Sequence, residues 1–166
     1  STKKILVLAA LLLPLTITAA GTENSQELAQ LLTLLPAQSQ AENTLIAQAL
    51  LAQGPDIVSP LCRMLNDTSR LVREQAHYAL DGLAQYCATL PATDTSRARF
   101  VAGLCQQLAV KGPEETTAFI LTLLQTCPDE QALPALQPLL SFEHFADPAA
   151  AVLEVIGSAQ SAQQLL

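Results

Sequence analysis

Apolar residues recur along this chain at intervals of three and four, the spacing that places side chains on one face of an α-helix. Leu28, Leu31, Leu32 and Leu35 make a first stripe, with Ser25 placed to cap its start and Pro36 to stop it. A second stripe over 41–53 carries Leu45, Ala49 and Ala52, widened by Ile46 and Leu50, and ends at Gly54-Pro55, a C-cap glycine and a breaker. A third helix is expected over 56–65, closed by Asn66-Asp67. A fourth opens at Thr68 or Ser69 and runs to about Cys87, with Val72, Ala76, Ala79, Leu80 and Leu83 inward. After the loop at 89–94 a fifth starts near Thr95 or Ser96, whose hydroxyls can cap it, and ends at Lys111-Gly112. Pro113 is expected at the first position of the sixth, where its missing N–H is harmless, with Glu114 and Glu115 complementing the helix dipole. That helix stops at Cys127-Pro128. A seventh covers 129–140; an eighth opens at Asp147-Pro148 and ends near Gly157; a ninth begins at 161–166.

No segment shows the alternation of a strand, so the expected class is all-α. Short helices joined by short breaks favour antiparallel neighbours. Four hairpins follow, at 25–54, 55–88, 95–127 and 129–157, with the start of a further repeat at 158–166. Their starts lie 30, 40 and 34 residues apart, the period of an α-α superhelix in which each hairpin buries its faces against its neighbours.

Composition supports this. The 166 residues are 50% hydrophobic and only 4% aromatic, and the apolar supply is mainly Leu and Ala, which favour helices. The first twenty residues read as an export signal: Lys3 and Lys4, an uncharged apolar run from Ile5 to Leu15, then Thr18-Ala19-Ala20 with cleavage expected after Ala20. The run is short for a spanning helix and is interrupted by Pro14, though a retained anchor is the alternative. The implied location is periplasmic or secreted. Cleavage removes two lysines and no acid, taking the net charge from −7 to −9. So acidic a body repels phosphate backbones and anionic lipid, which argues against nucleic-acid binding and against membrane contact beyond the signal segment. Arg63, Arg70, Arg73, Arg97 and Arg99 cluster in one stretch and read as solvated helix faces or inter-repeat pairing. Cys62, Cys87, Cys105 and Cys127 form no C-x-x-C; they are either small buried hydrophobes or, after export, one or two disulfides of open connectivity.

The second hairpin is the most specific stretch. Pro60-Leu61-Cys62-Arg63-Met64-Leu65-Asn66-Asp67 leads into Leu71-Val72-Arg73-Glu74-Gln75-Ala76-His77-Tyr78-Ala79-Leu80-Asp81-Gly82-Leu83. This resembles the HEAT-repeat pattern: a proline near the start of helix A, leucine pairs, a turn aspartate, then Val-Arg and Ala-x-x-Ala-Leu on helix B. Residues 133–140 and 147–157 resemble the same two helices more weakly, without the arginine. The resemblance implies an α-solenoid of about four hairpins, an inter-repeat ladder through Asp67 and Arg73, and protein–protein contact as the activity.

Catalytic chemistry has no positive signal. Glu74-x-x-His77 has the spacing of di-iron carboxylate helices, but the only other histidine sits in Glu143-His144, and HEAT-like hydroxylases use His-Glu dipeptides, which do not occur. Phosphate loops, nucleophile elbows and zinc-protease motifs are missing, and Cys87 stands ten residues beyond His77 on the same helix. No catalytic, cofactor or metal residue is assigned. The expected function is an exported, non-catalytic interaction or scaffolding module whose helix-B face (Arg70, Arg73, Glu74, His77 and Asp81) meets a protein partner. The alternative is the N-terminal accessory solenoid of a larger exported enzyme or complex subunit.

Overall fold

A computed structural model describes the backbone of residues 20–164 and the side chains of 25–159. The signal segment expected at 1–20 lies outside these residues but for its last position. Eight α-helices are described: α1 (Ala20–Leu32), α2 (Gln40–Ala52), α3 (Val58–Met64), α4 (Arg70–Thr89), α5 (Thr95–Ala109), α6 (Glu114–Thr126), α7 (Leu133–Leu136) and α8 (Glu143–Gln164). Two 3-10 turns, Glu130–Ala132 and Gln137–Ser141, flank α7, and no strand occurs among the described residues. The all-α reading holds. None of these helices is long and apolar enough to cross a membrane. The chain divides into two compact bodies, 1–86 and 87–166, whose boundary falls inside α4.

In the first body α1 and α2 form an antiparallel pair. Gln53, just past the end of α2, donates through Nε2 to the Glu27 carboxylate on α1 at 3.3 Å. Ser39 caps α2 by accepting from the Glu42 amide at 3.2 Å, and Gly54 ends the pair at φ 146°, a left-handed conformation that favours glycine. Leu31, Leu32, Ile46, Leu50, Leu61, Leu80 and Leu83 are buried at its centre. Two hydrogen bonds join α2 to α4: Asn43 donates to the Gly82 carbonyl at 3.2 Å, and Gln48 donates to the Tyr86 hydroxyl at 3.2 Å. Position rises on both helices together, so α2 and α4 run in the same direction.

In the second body α5 and α6 are joined by residues 110–113 and pack on each other, and α6 packs on α8. Phe100, Val101, Leu104, Ile120, Leu124, Leu136, Ala149 and Val152 form the core. The segment that leads from α6 into α7 lies beside the start of α5. Gln131 donates to the Ala98 carbonyl at 3.1 Å, and Arg97 reaches the Pro128 carbonyl at 2.6 Å.

Several boundaries differ from expectation. Helix α1 runs through Ser25, which therefore does not cap it. Helix α5 is capped by Asp94, not by Thr95 or Ser96: its carboxylate accepts from the amides of Ser96 at 2.8 Å and Arg97 at 3.2 Å. A charged acceptor facing the helix N-terminus is favoured over a hydroxyl. Pro113 sits at the N-cap of α6, one position earlier than expected. The seventh helix is broken into 3-10, α and 3-10 turns, because Pro134 and Pro138 each remove an amide donor. The eighth and ninth segments are one helix. Pro148 lies inside α8, where it removes a single i to i−4 bond, and the helix continues through Gly157 as far as Gln164. A helical glycine costs about 1 kcal/mol relative to alanine. Burial of Ala149, Val152 and Ile156 along one stripe offsets it.

Candidate functional site

The outward face of α4 carries the residues singled out from the sequence. Arg70, Glu74, His77 and Asp81 follow at intervals of four, three and four, so they stand in one row. The helix faces outward here because Ala76, Ala79, Leu80 and Leu83 take its opposite side into the core. Arg70 donates through Nε to the Glu74 carboxylate at 2.7 Å, in an i, i+4 pair left largely in water. The Asp81 carboxylate accepts from the Gln85 amide at 2.7 Å.

Arg73 behaves differently. It turns back along its own hairpin and donates to the carbonyls of Asp67 at 2.6 Å and Thr68 at 3.0 Å. The Asp67 carboxylate is occupied by the Ser69 amide at 2.8 Å, where it holds the turn that opens α4. Asp67 and Arg73 therefore meet within one hairpin, through a backbone oxygen. An ion pair of longer range joins Arg97 and Asp129, whose Nε and Oδ2 stand 3.5 Å apart, too loosely placed to hydrogen-bond, with side chains 13% and 14% exposed. Arg97 also donates to the carbonyls of Leu90 at 2.9 Å and Pro128 at 2.6 Å. The sequence placed Arg97 in a cluster of arginines open to pairing, but Pro128 and Asp129 lie 31 and 32 residues away, and no local pattern pointed to them.

Two hollows open along α4, one on each side of Tyr78. One, of about 480 Å³, is lined by Leu65, Arg70, Arg73, Glu74, His77 and Tyr78. The other, of about 280 Å³, is lined by the 35–40 loop with Asn43, Tyr78, Asp81, Gly82 and Gln85. Tyr78 lines both and is 47% exposed, and Leu71, two turns earlier, is 63% exposed. Sequence reasoning missed Tyr78, yet the signal was present. An aromatic four residues after Glu74 and three before Asp81 falls on the polar row and not on the core stripe.

The thiols are chemically quiet. Cys62, Cys87 and Cys127 are buried and Cys105 partly so, and all four are free thiols. Burial raises each from the ordinary 9.0, to about 12 for Cys87 and to about 11 for the other three. Such groups are poor nucleophiles in the folded chain. Among the described residues no group of three or more His, Cys, Asp or Glu side chains is placed to hold a metal ion. Compared with known proteins, the chain matches no family model, no curated protein and no solved structure.

Proposed function

We propose that this chain is an exported, non-catalytic interaction module, a HEAT-like stack of helix hairpins that presents the outer row of α4 to a protein partner. The observation that carries the reading is Tyr78. It is half-exposed between two hollows and flanked by arginine, histidine and carboxylate side chains. A partly exposed tyrosine in a polar surround is the usual composition of an interface anchor. Support for the stack comes from the parallel α2–α4 contact and from the Arg97–Asp129 bridge between consecutive hairpins, each the kind of neighbour contact a solenoid repeats. Support for a protein partner over a nucleic acid comes from the net charge of −7.

Affinity capture from an exported fraction tests this, with the chain as bait beside Tyr78→Ala and His77→Glu variants. Loss of an anchor tyrosine costs about 2 kcal/mol of binding, roughly 30-fold in affinity. A partner recovered equally by all three baits removes the α4 face from the proposal. Export is tested separately by N-terminal sequencing of the exported protein, which should begin at Gly21.

A further inference from the structure

Cys87 and Cys127 both have no solvent exposure, and both belong to the second body. Cys87 lies in the last turn of α4 and Cys127 caps the end of α6. One guanidinium ties the chain just beyond each. Arg97 donates through Nη1 to the Leu90 carbonyl and through Nη2 to the Pro128 carbonyl. The Leu90 amide in turn donates to the Cys87 carbonyl at 3.1 Å, and Pro128 directly follows Cys127. The fork of a single arginine is rigid and narrow, so the two helix ends are held side by side.

We propose that Cys87 and Cys127 are the partners of a disulfide in the oxidised protein, joining the end of α4 to the end of α6. Beyond burial, Cys127 acts on the Cys87 thiol, and the Arg97 charge acts on both, whereas neither of these sulfurs nor Arg97 acts on Cys105. Cys62 lies in the first body. The oxidant is a small disulfide such as glutathione disulfide. One cysteine loses its proton, and the thiolate attacks a glutathione sulfur, breaking that S–S bond and releasing one glutathione thiolate. The second cysteine thiolate then attacks the mixed disulfide and releases the other glutathione. Two protein thiols lose two electrons, and one glutathione disulfide becomes two glutathione thiols, which take up the two protons. Because the folded thiols are buried and their ionisation is suppressed, the bond forms during folding and is slow to form afterwards.

The test is refolding of the reduced, denatured chain in a glutathione redox buffer, followed by alkylation and peptide mapping by mass spectrometry. The expected product has two free thiols, Cys62 and Cys105, and one linked peptide containing Cys87 and Cys127. Native reduced protein in the same buffer should lose thiols at least ten-fold more slowly. A Cys62→Ala/Cys105→Ala variant retains both partners and should lose both thiols on refolding. A bond from Cys87 or Cys127 to any other cysteine overturns the proposal, as do four free thiols after oxidative refolding of the unaltered chain.

Discussion

Replacing Gly82 by alanine probes the parallel contact between α2 and α4 at its closest point. A Cβ at position 82 would collide with Oδ1 of Asn43, the one buried polar side chain among the described residues, and Asn43 donates from Nδ2 to the Gly82 carbonyl at 3.2 Å. Alanine gains about 1 kcal/mol of helix propensity over glycine. Against that, the amide must rotate away. Its bond contributes about 0.5–1.5 kcal/mol, and a buried amide left without a partner costs about 1–3 kcal/mol more. The net expectation is destabilisation by about 1–3 kcal/mol, read as a lower urea midpoint at unchanged slope by far-ultraviolet circular dichroism. A second substitution makes the test specific. Asn43→Ala removes the obstacle, so in the double variant the methyl introduced by Gly82→Ala fills space the amide has vacated. The pair should then be more stable than the two single effects sum to, by about 1–2 kcal/mol. If Gly82→Ala raises the midpoint, or if the double variant is additive, the two helices do not approach as described and the stacking argument loses its support.

Two further outcomes follow from the buried charges and thiols. Arg97→Met leaves the nearly enclosed Asp129 carboxylate without a counter-charge, holding only the Gln131 amide at 3.1 Å, and strips a donor from two carbonyls. It should cost about 3–5 kcal/mol by urea titration, whereas Arg73→Met, at the exposed α3–α4 turn, should cost about 1 kcal/mol or less. Equal effects would show that the Arg97–Asp129 bridge is not the tie between hairpins. The thiols are held protonated in the fold, with values raised from 9.0 to about 11 or 12, while the unfolded chain ionises near 9.0. Their contribution is complete below about pH 9 and lost as pH rises toward 11, by up to about 1.4 kcal/mol per unit for each thiol. The thermal midpoint of the reduced protein should therefore be level from about pH 7 to 8.5 and fall steeply by about pH 10.5, with a shallower fall in Cys87→Ala. A level profile through that range would contradict burial of the thiols.

Most of the helices, and the residues they bury, were legible in the sequence. Leu31, Leu32, Ala76, Ala79, Leu80 and Leu83 lie inside as their spacing implied, and Arg70, Glu74 and His77 lie outside on one row. Periodicity decides these matters because a helix places residues three and four apart on the same face whatever it packs against. Local competition was less legible. Asp94 rather than a hydroxyl caps α5, two prolines break the seventh helix, and α8 passes through Pro148 and Gly157 because its buried stripe holds it. Only the tertiary structure brought Asn43 against Gly82, Arg97 against Asp129, and the ends of α4 and α6 together. These contacts join residues more than thirty positions apart, and no local pattern encodes such a distance. The sequence by itself determined a series of amphipathic helices; packing decided which of them touch, and left Tyr78 standing between two hollows on the face that remained.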